Sequence, residues 1–304
     1  HYVMRAKPAP VAKLLPSAHA IEREFRVMRA LQGSAVPVAP MHVLCEDESV
    51  IGRAFYIMGY MQGRVLWDPT LPGMSPSERA AIYDEANRVM AAMHTVDFAA
   101  IGLSDYGRPG NYFERQIGRW SKQYLASITD PIVEMDRLIE WLPQHIPASA
   151  RDESKASIVH GDYRLDNLIF HPTEPKVLAV LDWELSTIGH PLADFSYHCM
   201  AWHIPPGTFR GIAGVDIAAL GIPDEASYVA RYCERTALAT PEALAHDWNF
   251  YLAYNMFRIA AILQGIAKRV EEGTASSAQA RANAASARPM AELAWAYAQK
   301  AQAA

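Results

Sequence analysis

Four polar residues between positions 160 and 182 have the types and the spacing needed for phosphoryl transfer. His160, Asp162 and Asn167 form an H-x-D-x-x-x-x-N pattern, and a second carboxylate, Asp182, follows it. Transfer from a nucleotide needs a carboxylate that orients and deprotonates the acceptor hydroxyl, together with oxygen ligands for Mg²⁺. Asp162 suits the first role, and the amide of Asn167 and the carboxylate of Asp182 suit the second. His160 would then be a structural member of the catalytic loop that braces it by hydrogen bonds.

Two short apolar segments flank these residues. Residues 167–170 and 177–181 are of strand length, and the polar turn between them predicts a β-hairpin. Asn167 enters this hairpin and Asp182 leaves it, so antiparallel pairing would bring the two residues together. Each residue alone also has a structural interpretation, since an Asn after an Asp in a loop is more often a turn or cap residue than a ligand. The joint pattern favours the catalytic interpretation.

The segments 160–167 (HGDYRLDN) and 181–194 (LDWELSTIGHPLAD) resemble the aminoglycoside phosphotransferase and choline kinase-like family. They are most similar to the branch found as the N-terminal domain of certain acyl-CoA dehydrogenase fusion proteins and as free-standing bacterial phosphotransferases. The resemblance extends from about Tyr2 to the C-terminal helices. It implies an α+β, protein-kinase-like fold: a small antiparallel-sheet N-lobe at residues 1–61, with a hinge at its end, and a large, mostly helical C-lobe at residues 62–304.

The same resemblance implies roles for individual residues. Asp162 would be the catalytic base, with His160 in the same loop, and Asn167 and Asp182 would bind the Mg²⁺ that accompanies ATP. Residues 183–184 are Trp-Glu where protein kinases have Phe-Gly. The fusion proteins further imply a functional link to acyl-CoA metabolism.

Composition excludes several other classes of protein. The 304 residues are 51% hydrophobic and 20% charged, which is enough to bury a substantial core. The net charge of -5 offers no basic surface for nucleic acid or an anionic membrane. Three cysteines lie far apart without a C-x-x-C pair, which argues against a disulfide scaffold or a zinc site. Without an 18-residue apolar run or a signal-peptide pattern, we expect a soluble cytoplasmic protein.

The first residues resemble a kinase strand that carries a phosphate-binding cation. Residues 1–5 are strand-like, and Arg5 lies where a kinase has its phosphate-gripping Lys, at the end of a strand before a helix. In the family, a hairpin with a phosphate-covering loop comes before this strand, and the N-lobe here looks truncated. Either the sequence begins after those residues or part of the nucleotide lid has been lost, and both alternatives stay open.

Glu24 is predicted to pair with this cation. Ser17 can cap a helix over residues 18–32 that ends at a glycine, and the apolar stripe of that helix contains Glu24. The stripe itself consists of Ile21, Phe25, Met28 and Leu31. A carboxylate on a buried face needs a partner. In the kinase-like fold that the resemblance implies, this partner is the strand cation, so we assign Arg5 to this role, with Lys7 as the second choice. The alternative is a surface pair with a neighbouring Arg.

A nucleotide-binding hinge is predicted at the end of the small sheet. Strands are expected at residues 41–45 and 54–60, and the sequence from residue 55 onwards resembles the hinge between kinase lobes. Met58 would be the gatekeeper, and the backbone groups of Gly59 and Met61 would bind adenine. An ordinary apolar edge strand ending in Gly has a similar sequence, so this alternative stays open.

The segment after Asp182 favours a small-molecule acceptor. Protein kinases carry an activation segment between the metal-binding Asp and the motif that closes the peptide-docking surface. Here only eleven residues separate Asp182 from Asp194, and no A-P-E motif appears. We expect Asp194 to be a scaffold residue that hydrogen-bonds the catalytic loop.

The remaining sequence predicts helices that could form an acceptor region. Helices are expected at residues 76–96, 111–127, 130–144 and 247–272, with a further helix at 276–304 that is interrupted near Pro289. Residues 205–304 contain nine Lys plus Arg and nine Asp plus Glu, so a polycationic acceptor is disfavoured. Arg258 is the candidate contact for a carboxylate or phosphate on the acceptor. The alternative is an Arg that pairs with an internal carboxylate.

The sequence therefore predicts an ATP- and Mg²⁺-dependent phosphotransferase that acts on a hydroxyl of a small molecule, with a hydroxyacyl compound as the suggested acceptor. The alternatives are a nucleotide-binding regulatory pseudokinase and an aminoglycoside- or choline-type kinase. A metal-dependent phosphoesterase is disfavoured because no His-rich or bimetal carboxylate cluster accompanies the loop. The sequence leaves open the acceptor, the oligomeric state and the choice between ATP and GTP.

Overall fold

The computed structural model describes residues 1–7, 20–108, 110–275 and 278–303 of the chain. In this part of the chain the strands are β1 (Tyr2–Ala6), β2 (Met41–Cys45), β3 (Phe55–Gly59), β4 (Arg64–Val65), β5 (Ser157–Val159), β6 (Leu168–Phe170), β7 (Val177–Val180) and β8 (Thr187–Gly189). The helices are α1 (Ile21–Leu31), α2 (Pro76–Thr95), α3 (Tyr112–Ser127), α4 (Val133–Gln144), α5 (Pro191–Cys199), α6 (Ile217–Leu220), α7 (Glu225–Thr236), α8 (Pro241–Glu271), α9 (Ala278–Ala284) and α10 (Ala287–Ala303).

The chain divides into two compact units. Unit 1 comprises His1–Arg108, Ser157–Asp194 and Asp216–Ala237, and unit 2 comprises Pro109–Ala156, Phe195–Val215 and Leu238–Ala304. This division does not follow the expected boundary between residues 61 and 62, because unit 1 joins the N-terminal sheet to the segment that contains the hairpin. The two-lobe boundary at residue 61 stays a prediction.

The N-terminal sheet of unit 1 is antiparallel, with strand order β1-β3-β2. β3 is central and buries Phe55 and Tyr56, as its run of aromatic and β-branched residues predicts. Arg5 in β1 lies opposite Tyr56 in β3. The predicted strands are confirmed, and β3 is one residue shorter at each end than predicted.

Helix α1 follows the predicted helix but begins later. Its first residue is Ile21, and no side chain caps it; the predicted cap, Ser17, lies outside the described residues. The helix ends at Leu31, and Gly33 has a φ of +85°, a conformation that glycine adopts without strain. The predicted apolar stripe needs one correction, because Phe25 is only half-buried and Val27 is fully buried.

Helix α2 has the predicted capping box. The amide of Glu78 donates to the Ser75 hydroxyl over 3.3 Å, and the amide of Ser75 donates to Oε2 of Glu78 over 2.7 Å. Pro76 occupies the first helical position, where its missing N–H costs no hydrogen bond. This reciprocal arrangement satisfies backbone donors that would otherwise lack partners at the helix start.

The predicted hairpin is present as antiparallel strands β6 and β7. Strand β4 pairs with the other edge of β6, so the small sheet has the order β4-β6-β7. A second small sheet pairs β5 with β8 in antiparallel register. The segment between β5 and β6 contains the H-x-D-x-x-x-x-N pattern, and Asp182 comes two residues after β7 ends.

Unit 2 is helical in its described residues, and α8 is its longest helix. Thr240 caps α8, which begins six residues before the predicted start, and residues 250–261 are buried on every face. The buried polar groups of α8 have partners, as their burial requires. Gln264 donates to the carbonyl of Ser127 over 2.9 Å, and Asn255 donates to the hydroxyl of Ser196 over 2.7 Å.

The C-terminal helix is interrupted before Pro289, the position near which the break was predicted. The break between α9 and α10 falls at residues 285–286, and Pro289 is the third residue of α10. A Pro is tolerated in the first turn because the N–H it lacks would have no intrahelical acceptor there. The proline therefore follows a helix start instead of causing the break.

We expect Gly63→Ala to reduce the free energy of unfolding by about 1–3 kcal/mol, because a Cβ at this position would overlap the carbonyl of Phe170 and the side chain of Ile169 in β6. Gly118→Ala is the control. It lies inside α3 with no atom within 4 Å of an added Cβ, and the change should stabilise by about 0.5–1 kcal/mol. Urea unfolding of both variants measures the difference, and equal midpoints would contradict the close approach.

Candidate active site

The catalytic-loop residues Asp162 and Asn167 are in direct contact. The amide nitrogen of Asn167 donates to the backbone carbonyl of Asp162 over 2.8 Å and to its Oδ2 over 3.0 Å. With both donors of the amide directed to Asp162, Oδ1 of Asn167 is left as the group that could accept a cation. The structure thus places the predicted base and one predicted metal ligand together.

His160 links this loop to the end of the hairpin. Its Nε2 hydrogen-bonds the carbonyl of Leu181 over 2.7 Å, and its Nδ1 accepts the amide N–H of Asp162 over 3.2 Å. Because Nδ1 accepts, Nε2 carries the proton. His160 has no exposed surface, so the structure confirms the expectation that it braces the loop.

Asp182 is brought to the same place by the residue before it. The amide of Leu181 donates to the carbonyl of Asn167 over 2.8 Å, which joins the exit of the hairpin to its entrance. Asp182 has a φ of +62°, and a three-residue 3₁₀ turn follows it. Asp is one of the few residues that adopt this left-handed conformation, and sites of this kind concentrate near functional groups.

Arg5 lies among three carboxylates. Its Nε contacts Glu24 Oε2 at 3.1 Å, and one terminal nitrogen contacts Glu184 Oε2 at 3.3 Å and Asp182 Oδ1 at 3.6 Å. The predicted pairing of Arg5 with Glu24 is confirmed. Lys7, the second choice, pairs instead with Glu22 at 3.2 Å.

Glu184 is a member of this cluster that the sequence analysis did not identify. Its position two residues after Asp182 was noted only as a difference from protein kinases. Nothing in its spacing indicates a contact with a residue 179 positions away, because only the fold brings β1 close to the turn after β7.

Glu24 is the most buried of the three carboxylates, with 1% of its surface exposed. Burial raises the pKa of Glu24 to about 7, although attraction to Arg5 and a hydrogen bond from the Tyr56 hydroxyl oppose this rise. Tyr56 donates to Oε2 of Glu24 over 3.1 Å. The ion pair that orients Arg5 is therefore sensitive to pH near neutrality.

Asp194 holds the backbone at the start of the catalytic loop. Its Oδ1 accepts the amide N–H of Gly161 over 2.8 Å, and its Oδ2 accepts the amide N–H of His160. His94 Nε2 lies 3.5 Å from Oδ2. Burial would raise the pKa of Asp194, but the contact with His94 and the interactions with His160 outweigh it and lower the pKa. The predicted scaffold role of Asp194 is confirmed.

The predicted hinge residues lie at the end of β3. The amide N–H of Gly59 donates to the carbonyl of Pro40 over 2.8 Å, so this donor is engaged within the sheet. The Gly59 carbonyl and the backbone of Met61 remain candidates for binding a base. Met58 is half-buried and lies opposite Val3 of β1. Its gatekeeper role stays a prediction.

Arg258 belongs to unit 2 and is 7% exposed. Its guanidinium lies 5.0 Å from the ring centroid of Tyr197 and 5.5 Å from that of Trp120. Contact with aromatic faces favours a cation in a buried position. The contact of Arg258 with an acceptor stays a prediction.

The oxygen atoms at this site suit Mg²⁺. Asn167 and Asp182 supply an amide oxygen and a carboxylate, which are hard ligands, and Mg²⁺ commonly takes its other ligands from waters and substrate phosphates. The carboxylate of Asp182 is 39% exposed and therefore accessible. The residues present fit the metal that phosphoryl transfer requires.

Comparison with known protein families shows which family the chain belongs to. A model described as "Phosphotransferase enzyme family" matches residues 1–246. The chain belongs to the phosphotransferase enzyme family.

Related proteins are much longer than this chain. Mouse acyl-CoA dehydrogenase family member 10 is 49% identical over 300 residues, which cover 98% of this chain and 27% of the mouse protein. Human acyl-CoA dehydrogenase family member 11 is 40% identical over 291 residues, which cover 96% of this chain and 36% of the human protein. The chain therefore spans about a third or less of these relatives, and the expected similarity to the acyl-CoA dehydrogenase branch is confirmed.

Solved structures confirm the kinase-like fold of this phosphotransferase-family chain. A Ralstonia eutropha protein provisionally assigned as an aminoglycoside phosphotransferase is 67% identical with a TM-score of 0.89, covering 98% of this chain and 86% of its own. An aminoglycoside phosphotransferase APH(4)-Ia, in complex with AMP-PNP and hygromycin B, is 16% identical with a TM-score of 0.61, covering 97% and 86%. Plasmodium vivax ethanolamine kinase is 11% identical with a TM-score of 0.58, covering 98% and 75%. At such low identity, the last two show the fold alone.

The phosphotransferase-family chain shows no helix, among its described residues, with the length and apolar character needed to cross a lipid bilayer.

Titration of Glu24 should be visible in the pH dependence of stability. Because the pKa of about 7 in the folded protein lies above the ordinary value of 4.5 for a glutamate, the fold favours the protonated acid. The resulting stabilisation is complete below pH 4.5 and is lost as the pH rises through 7. Relative to Glu24→Gln, the parent should lose at most about 3 kcal/mol of unfolding free energy between pH 4.5 and 8. Urea unfolding at several pH values measures this loss, and parallel curves for the two proteins would contradict it.

Asp194→Asn should reduce the unfolding free energy by about 3 kcal/mol, because the amide can replace only part of the hydrogen bonding of a buried carboxylate. Asp216→Asn is the matched control, since Asp216 is an exposed N-cap and Asn caps equally well. Thermal and urea unfolding of the two variants measure the difference. Equal losses would show that Asp194 does not support the loop.

Proposed function

We propose that this chain transfers the γ-phosphoryl group of ATP, with Mg²⁺, to a hydroxyl of a small molecule. The observation that carries the proposal is the pair of contacts that links Asp162 to Asn167 and Asn167 to Leu181, the residue before Asp182. Membership of the phosphotransferase enzyme family supports the reaction class.

In the proposed reaction, Asp162 accepts the proton of the acceptor hydroxyl while the oxygen of that hydroxyl bonds to the γ-phosphorus. The bond between that phosphorus and the oxygen bridging to the β-phosphorus breaks, and ADP leaves with its electron pair. Asn167 and Asp182 would hold the Mg²⁺ that neutralises charge on the phosphates. Arg5, oriented by Glu24, would contact the phosphate groups, and its planar guanidinium can do so through two donors.

The donor nucleotide is proposed from the neighbouring structures. One aminoglycoside phosphotransferase holds ADP and another holds AMP-PNP, whereas a third holds GDP. Adenine would contact the backbone of Gly59 and Met61 beside Met58. Direct competition between ATP and GTP for the purified protein tests this part of the proposal.

For the acceptor, we propose a neutral or anionic alcohol, with a hydroxyacyl compound as the first candidate. The balanced charge of residues 205–304 lacks the acidic surface that a polycationic aminoglycoside would need. Arg258 is the proposed contact for a carboxylate or phosphate on this acceptor. The names of the longer relatives support a link to acyl-CoA metabolism.

A coupled assay tests the proposal. The purified protein is incubated with ATP, Mg²⁺ and hydroxyacyl compounds, choline, ethanolamine, sugars or aminoglycosides, and ADP release is followed. Acceptor-dependent ADP release with the hydroxyacyl compounds is the expected result. ATP binding without turnover for any acceptor would favour a regulatory nucleotide-binding protein, and phosphate release from monoesters without ATP would favour a phosphoesterase.

Two substitutions should separate chemistry from binding. Asp162→Asn should lower kcat at least about 100-fold while the dissociation constant for ATP stays within about twofold, because it removes the base and no nucleotide ligand. Asp182→Asn should weaken binding of the Mg²⁺–nucleotide complex at least about tenfold. Asp105→Asn is the control, since this exposed residue pairs with Arg26 at the surface. Steady-state kinetics and calorimetry supply both quantities, and an unchanged kcat in Asp162→Asn would exclude the base.

A further inference from the structure

Arg164 is a cation of the catalytic loop for which the sequence analysis assigned no role. One terminal nitrogen of its guanidinium lies 3.1 Å from Oδ2 of Asp162 and 3.4 Å from Oδ2 of Asp166. The same Oδ2 of Asp162 also accepts a hydrogen bond from Asn167 over 3.0 Å. Two donors, from two different side chains, therefore converge on one oxygen of the proposed base.

We propose that Arg164 is a positioning residue that holds Oδ2 of Asp162 and thereby fixes the orientation of the base. This inference rests on the proposed phosphotransferase function. It adds an orienting cation to the site.

The geometry supports an orienting role because rotation of the Asp162 carboxylate about its Cβ–Cγ bond would break both contacts to Oδ2. A guanidinium is planar and presents its donors in a fixed arrangement, so it restricts a carboxylate more strongly than a flexible ammonium does. The amide of Asn167 approaches from the other end of the loop, five residues along the chain. The two donors together select one orientation of the base.

Asp166 explains why the guanidinium stays in place. Its side chain is 4% exposed, and a buried carboxylate requires a charged or hydrogen-bonding partner. Arg164 itself is 28% exposed, and the contact with Asp166 holds its guanidinium against the loop. Asp166 thereby holds the cation that holds Asp162.

A misplaced base lowers the rate of the chemical step without weakening nucleotide binding, since the base contacts the acceptor hydroxyl and not the nucleotide. A displacement of about 1 Å at a reacting group can cost roughly 100-fold in rate. The role of Arg164 therefore predicts a split between kcat and the nucleotide KM. If Arg164 had only a structural role, its replacement would change stability without lowering kcat selectively relative to the nucleotide KM.

The test compares Arg164→Gln, Arg164→Lys and Asp166→Asn with the parent protein. Arg164→Gln should lower kcat roughly 10- to 100-fold, with the KM for ATP within about threefold of the parent value. Arg164→Lys should retain an intermediate kcat because it restores the charge without the planar geometry. Added guanidinium ion should raise the kcat of Arg164→Gln and leave that of the parent unchanged. Arg26→Gln, which removes a surface ion pair with Asp105, is the control and should keep the parent kcat.

Crystal structures of the parent and Arg164→Gln provide a readout that does not need turnover. The carboxylate of Asp162 should keep Oδ2 beside Asn167 in the parent and rotate or become disordered in the variant. An unmoved Asp162 would overturn the proposal even if kcat fell, and an unchanged kcat in an active protein would overturn it even if Asp162 moved. If the parent phosphorylates no acceptor, the proposed function fails, and the position of Asp162 still decides the orienting role of Arg164.

Discussion

The buried carboxylate of Asp194 is the constraint on which the geometry of the candidate site depends. It accepts the backbone N–H groups of His160 and Gly161, so it fixes the main chain where β5 ends and the catalytic loop begins. His160 is held in this way, and its side chain hydrogen-bonds the carbonyl of Leu181, which connects the loop to the end of β7. The buried charge is stabilised by two backbone donors and by the nearby His94. Asp162, Asn167 and the end of β7 take their positions from this arrangement.

The charges around Arg5 are not balanced one to one. Three carboxylates, those of Glu24, Asp182 and Glu184, contact one guanidinium. One positive charge therefore compensates only part of their negative charge. Glu24 is the most deeply buried, and desolvation raises its pKa in spite of its ion pair. Metal and phosphate charges in the proposed complex would redistribute this balance, because Mg²⁺ would compete for Asp182 and phosphate would compete for Arg5. The cluster is suited to a site that binds a cation and an anion together.

Sequence reasoning succeeded where one residue pattern demanded one local structure. The hairpin from β6 to β7 and the capping box of α2 followed from strand length, turn residues and spacing. The partner of Glu24 followed from two steps: a carboxylate inside an apolar stripe requires a nearby cation, and the resemblance to the kinase-like fold pointed to the strand cation Arg5. Reasoning was weaker at element ends: α1 begins later than predicted, α8 begins earlier, and the C-terminal break precedes Pro289. At α1 no side chain caps the helix, so packing decides where it begins. At α8 the cap Thr240 and Pro241 at the first position mark the start in the sequence, and the prediction did not use them.

The sequence alone indicated the reaction class and most of the residues proposed for the candidate site, because Asp162, Asn167 and Asp182 carry their proposed chemistry in residue type and spacing. It also indicated the family through two short segments, and the family comparison agrees. Only the tertiary structure decided that Glu184 joins Arg5 and that Arg164 contacts Oδ2 of Asp162. The physical reason is that a long charged side chain can reach several partners, and sequence spacing does not reveal which backbone segments the fold places within about 4 Å of its charge.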